Sequence, residues 1–110
     1  MSIALPLLSK VGHDLDKFDR WLRSVLWHNE VPPVDPEGEA SQVEIHRTKG
    51  RLVFDDGDVM MVQGVREIFE IMDSTENGEG LVGKLVLIGR HIGGGTLEKS
   101  LYSALAKSWQ

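Results

Sequence analysis

Cysteine is missing from all 110 residues, so neither a disulfide framework nor a thiolate metal site is open to this chain. That absence fits a reducing compartment without requiring one. An excess of basic charge is missing too: 12 Lys and Arg stand against 17 Asp and Glu, a formal net charge of -5. A nucleic-acid or anionic-membrane surface needs a basic footprint. There is no long apolar run either. The N-terminal MSIALPLLSKVG is short, is broken by Pro6 and has no basic region ahead of it. A signal peptide needs a charged start and a longer apolar core, and a spanning helix needs ~20 apolar residues. The chain is therefore expected in the cytoplasm or the nucleus, with no membrane and no nucleic acid among its partners. Internal repeats and low-complexity tracts are absent as well.

Catalytic motifs are also lacking. The segment Gly89-Arg90-His91-Ile92-Gly93-Gly94-Gly95-Thr96 sets glycines after a strand and before a helix, as a phosphate loop does. It matches neither G-x-x-x-x-G-K-[ST] nor G-x-G-x-x-G, and reads as a turn followed by a helix cap. The histidines, His13, His28, His46 and His91, are remote from one another in sequence. Local zinc sites cluster their ligands, so structural or surface roles are expected for them. No serine has a G-x-S-x-G setting. The carboxylates sit in loops or on a polar helix face, where nothing perturbs them as acid–base catalysis requires. No active site is expected.

What remains is an ordinary globular composition, 41% hydrophobic and 26% charged. A chain this long is one domain and buries roughly 65% of its unfolded surface, enough for a core without staples. Its centre runs from Val43 to Phe69. There, RLVF and DVMMVQGV are β-type runs joined by Asp55-Asp56-Gly57-Asp58. An Asp-Gly pair between apolar runs signals a tight hairpin, because Gly57 takes positive φ without a Cβ clash. The return strand is expected to run on through Ile68, Phe69 and Ile71. Ser2 to Leu8 reads as a strand confined by Pro6 to an edge or a strand end. KLVLI, from Lys84 to Ile88, reads as a central strand covered on both sides.

Asp14 to about His28 is the clearest helix. Asp14 is a good N-cap and Asp16 places negative charge in the first turn. Leu15, Phe18, Leu22, Val25 and Leu26 form one apolar stripe, bordered by Trp21. Asp16 with Arg20, and Asp19 with Arg23, are i,i+4 pairs in the favourable order. Asn29 to Gln42 is rich in proline and acid and is expected to be a mobile loop, and Asp73 to Gly83 is a second polar loop. Thr96 is expected to cap a last helix reaching about Trp109. Two amphipathic helices cannot bury their faces alone. The fold class is thus α+β: an antiparallel sheet of four or five strands with both helices on one face, in the order β-α-β-β-β-α, one strand open to splitting. Arg47, Lys49 and Arg51 share one strand face by period two. With Arg66, Lys84 and Arg90 they make a local basic patch suited to an acidic surface, if that face is not merely solvated.

These same residues carry a resemblance. Leu15-Asp16-Lys17 through Trp21-Leu22 and Leu26-Trp27, then Arg47-x-Lys49-Gly50, then Gln63-Gly64-Val65 before Phe69, then Leu87-Ile88-Gly89-Arg90 before a closing helix, resemble the C-terminal domain of CobW-type metallochaperone GTPases. The likeness runs from about Ser2 to Ala106, and the eukaryotic zinc-chaperone branch looks nearest. The resemblance implies an accessory domain, residues 1–110, that packs on a GTPase domain in cis or in trans and helps recognise a partner or metalloprotein client. The Walker A loop, Mg-binding acidic site and C-x-C-C motif of the family's GTPase domain are not in this sequence. Zinc and GTP/Mg are therefore expected only with that other domain, and no cofactor, metal ligand or catalytic residue is expected here. His46 and His91 stand where the family pattern varies and receive no metal role. Candidate docking or family-motif residues are Arg47, Lys49, Gly50, Gln63, Gly64, Gly89 and Arg90. The alternatives are a stand-alone metal-binding protein, a generic protein-interaction module or an unrelated small enzyme.

Overall fold

The structure is a computed structural model that describes residues 1–34, 38, 41–93 and 95–106. Its elements in chain order are β1 (Ser2–Leu5), α1 (Asp14–His28), β2 (Glu30–Val31), β3 (Ser41–Gln42), β4 (Glu44–Val53), β5 (Val59–Val65), β6 (Ile68–Asp73), β7 (Gly83–Arg90) and α2 (Thr96–Ala106). The main sheet has the strand order β1-β7-β4-β5-β6, with every pairing antiparallel. Both helices lie on one face of it, as the amphipathic patterns require. Residues 107–109, expected to extend α2, lie outside the described residues.

Helix α1 starts and stops where its apolar period does. Phe18, Trp21, Leu22, Val25 and Leu26 are buried, so Trp21 belongs to the stripe rather than to its border. Asp14 is not the cap. It is the first helical residue, and its carboxylate accepts the Ser9 N–H at 2.7 Å. The cap is His13, in left-handed conformation and with no side-chain cap bond. Of the helix pairs, Asp19 and Arg23 meet at 3.0 Å. The buried Trp21 indole donates to the Ser100 hydroxyl at 2.9 Å, and that hydroxyl donates to the Pro32 carbonyl. This relay ties α1, α2 and the chain after β2 together.

The sheet departs from the sequence reading in three places. Residues 29–42 are not loop throughout, because β2 and β3 pair as a small separate ribbon. Residues 35–37, 39 and 40 of the stretch expected to be a mobile loop lie outside the described residues. Next, the strand after Val65 does not run on. A turn at Arg66-Glu67 folds β6 back onto β5, so that Val65 pairs with Ile68 and Gln63 with Glu70. Last, β4 carries a bulge at His46, between Ile45 and Arg47. One extra residue reverses the inside–outside alternation. Ile45 therefore joins Thr48, Gly50 and Leu52 among the buried residues, while Arg47, Lys49 and Arg51 stay together on the opposite side.

The β4–β5 hairpin follows the Asp-Gly signal. Gly57 has φ 92°, its N–H donates to Phe54 O, and Asp58 O accepts the Phe54 N–H. The core lies between the helices and the inner sheet face, on Ile3, Phe18, Leu22, Leu85, Leu87 and Leu101 among others.

Candidate functional site

The outer sheet face is bare across most of its width. Its side chains fall into register rows. Ile88, Arg47, Val65 and Ile68 make one row, and Val86, Lys49, Gln63 and Glu70 the next. A third runs Lys84, Arg51, Met61, Met72. The basic side chains of β4 thus form a column in which Arg47 lies between Ile88 and Val65, Lys49 between Val86 and Gln63, and Arg51 between Lys84 and Met61. Ile68 is 72% exposed, Val65 60% and Ile88 54%. The first two rows, with the Arg66-Glu67 turn, line a shallow concavity of about 970 Å³. KLVLI is an interior strand, paired to β1 and β4. It is covered on one face only, which corrects the expectation that both were covered.

The basic column is unevenly engaged. Arg51 donates to the Val82 carbonyl at 3.2 and 3.0 Å and lies 4.0 Å from Glu76. Arg47 and Lys49 make no side-chain hydrogen bond or ion pair among the described residues. At the end of the face, the Glu44 carboxylate accepts from His46 Nε2 at 3.0 Å and from Arg66 at 3.3 Å. These two contacts, with the nearby Arg90 charge, hold the Glu44 carboxyl below its ordinary value of 4.5.

The tip of the β5–β6 hairpin, beside this cluster, is pinned from two sides. Arg66 takes φ 57°, uncommon for a side-chain-bearing residue. Its N–H donates to His46 O at 3.0 Å. From α1, Trp27 donates its indole N–H to Glu67 O at 3.0 Å, and Arg23 lies over the Trp27 ring at 5.4 Å.

The residues singled out from sequence thus divide. Arg47, Lys49 and Gln63 share the outer face, and Arg90 stands at its end opposite Glu44. Gly50, Gly64 and Gly89 take inner-face register positions, and the Gly64 backbone borders the concavity. A Cβ on Gly64 would meet Ile68 O and Phe69 Cβ at 2.7 Å, and one on Gly89 would meet Glu44 O at 1.9 Å. One on Gly50 would meet Lys84 O at 2.9 Å. These glycines let strands lie close, which is a structural demand. The residues that sequence reasoning missed are Val65, Ile68, Met72 and Ile88, because isolated aliphatic residues in strands read as core.

Donor groups for zinc do not converge. His13 and His28 lie at opposite ends of α1, His46 is engaged by Glu44, and His91 follows β7. Among the described residues, no group of three or more His, Cys, Asp or Glu could hold a metal ion. No helix among them is long and apolar enough to cross a membrane.

Residues 9–105 match the family described as "Cobalamin synthesis protein cobW C-terminal domain". The chain belongs to this CobW C-terminal-domain family. It is similar, at 37% identity over 92 residues, to the zinc-regulated GTPase metalloprotein activator 1 of Schizosaccharomyces pombe. That match takes in 79% of this chain but 21% of the relative, so the CobW C-terminal domain spans about a fifth of that protein's length. Among solved structures, a Zn(II)-bound triple mutant of the YjiA GTPase superposes with a TM-score of 0.63 at 17% identity. Zn(II)-bound YjiA from E. coli gives 0.58 at 15%. Each match covers 96% of this chain and 29% of the other. At such identities the likeness is one of fold.

Proposed function

We propose that this CobW C-terminal domain is a non-catalytic accessory module of a CobW-type zinc metallochaperone GTPase, and that its bare sheet face is where it docks. The observation that carries the reading is the column of Arg47 and Lys49 beside Val65, Val86 and Ile88, unengaged among the described residues of a chain whose net charge is negative. Contiguous exposed aliphatic side chains bordered by polar and charged ones are a mark of interaction surfaces. The span of this domain, about a fifth of its zinc-regulated GTPase relative, supports a partner supplied by the rest of such a protein, in cis or in trans. Nucleotide, magnesium and zinc would then be held outside this domain. A metalloprotein client is the second kind of partner that the reading allows.

The test mixes this domain with a matching GTPase domain. Association by calorimetry and a change in GTP turnover are the expected results. Loss of both would remove the docking role. Hydrolysis of GTP by the isolated 110-residue chain would remove the non-catalytic reading.

A further inference from the structure

We propose that the bare sheet face seats an acidic amphipathic helix laid along β4, with carboxylates one turn apart opposite Arg47 and Lys49. This deepens the docking role and rests on it.

The spacing of the basic column suits a helix. Alternate residues of a strand are about 6.8 Å apart, and residues i and i+4 of a helix rise about 6 Å. Long basic side chains absorb the difference. Two carboxylates at i and i+4 therefore meet Arg47 and Lys49, and a third at i+8 faces Arg51 and Lys84. The breadth of the face suits one too. Val86 and Ile88 on β7 flank β4 on one side, and Met61 and Val65 on β5, with Gln63 between them, flank it on the other. At two strand spacings they lie about 9.6 Å apart, close to the diameter of a helix. Aliphatic side chains on both flanks of the acidic row would fill them. Backbone satisfaction points the same way. An extended segment lying on this face would bury N–H and C=O groups that have no ladder to join, whereas a helix satisfies its own.

Charge favours the acidic partner. The concavity is lined by Arg47, Lys49 and Arg66 against two carboxylates, Glu70 on β6, two strands away, and Glu67 in the β5–β6 turn. Glu44, at the end, is already held by His46 and Arg66. The strand pattern agrees, since KLVLI has the composition of a strand covered on both sides but is covered on one. A helix here would complete a three-layer arrangement.

The test titrates the ¹⁵N-labelled 110-residue chain with a synthetic helical peptide of about 18 residues. The peptide carries Glu at i, i+4 and i+8 with Leu on either flank. A scrambled peptide and a Glu→Lys version serve as controls. The expected result is saturable binding with amide shifts at 47–51, 65 and 86–88. The double variant Arg47→Glu, Lys49→Glu should weaken it by about tenfold or more, the loss of charge-assisted contacts. Both residues are exposed and, among the described residues, unengaged, so circular dichroism should be unchanged. Val65→Ser with Ile88→Ser tests the aliphatic flanks independently and should also weaken binding. Failure of the acidic peptide to bind overturns the proposal, as does equal binding of the scrambled peptide. So do shifts confined to the free edge of β6, which would mean strand addition, or self-association through this face. Tighter binding of a single-stranded RNA to the same residues overturns it too. A GTPase domain that binds while leaving 47–51 unshifted would keep the accessory role and remove the helix seat.

Discussion

Gly64 of β5 and Phe69 of β6 stand directly opposite each other, so close that a Cβ on Gly64 would lie 2.7 Å from the Phe69 Cβ. The Ile68 carbonyl is equally near. Because Phe69 is packed against the core, it cannot swing away freely. Gly64→Ala should therefore destabilise the CobW C-terminal domain by about 1–3 kcal/mol, the usual cost of forcing atoms into a filled space. Urea unfolding reads this. The same change should loosen the hairpin that presents Val65 and Ile68, so it should reduce docking as well. An unchanged midpoint would show that the strands separate without penalty.

The Trp21–Ser100–Pro32 relay gives a second expectation. Ser100 is 3% exposed and both accepts and donates. Ser100→Ala leaves the buried indole N–H, and the half-buried Pro32 carbonyl, without this partner. Stranding buried polar groups costs about 1–3 kcal/mol each. A loss within that range in urea or thermal unfolding is expected. Trp21→Phe, which removes the donor, should make the further Ser100→Ala change cheaper, and a double-mutant cycle reads the coupling.

Thr48 should behave oppositely. It is 3% exposed, faces the core, and among the described residues its Oγ1 has no hydrogen-bond partner. Replacing a buried unpaired hydroxyl by a methyl of similar shape removes a desolvation cost. Thr48→Val should raise stability by about 1 kcal/mol, with binding unchanged because the side chain points away from the bare face. A loss of stability would mean that the hydroxyl is in fact satisfied.

These residues also show where a sequence is readable. Helix α1 was legible because its apolar repeat is local and strong, and the β4–β5 hairpin because Asp-Gly encodes its own turn. The break between β5 and β6 was not. Arg66-Glu67 carries no turn chemistry, and the left-handed Arg66 is held by His46 O and Glu44, far along the chain. The cap at His13 escaped notice because Asp14 serves Ser9 instead. Of the candidate site, the basic column could be read from period two. Its aliphatic flanks could not, since Val65 and Ile88 in isolation are indistinguishable from core residues until the sheet shows which face is covered.

Lys10 supplies the pH dependence. Its ammonium bridges Asp56, at 2.8 Å, and Asp58, clasping the chain before α1 to the β4–β5 turn. The Lys10 contact, followed by the Asp58 backbone N–H, holds the Asp56 carboxyl below its ordinary 3.8. The Asp56 and Asp58 contacts raise Lys10 above its ordinary 10.5. A carboxyl depressed by folding stabilises above its unfolded value and loses that contribution as pH falls through the folded one. An amine raised by folding stabilises below its unfolded value and loses its contribution as pH rises through the folded one. The clasp should therefore hold fully from about pH 3.8 to 10.5 and weaken outside that window on both sides. Its energy should be small, because these groups face solvent. Carbon-detected titration of the Asp56 carboxyl should give a midpoint below 3.8 in the native protein. In Lys10→Met the midpoint should move back up, but stop short of 3.8 because the Asp58 N–H remains. A midpoint at 3.8 that is indifferent to Lys10→Met would mean that the clasp does not persist in solution.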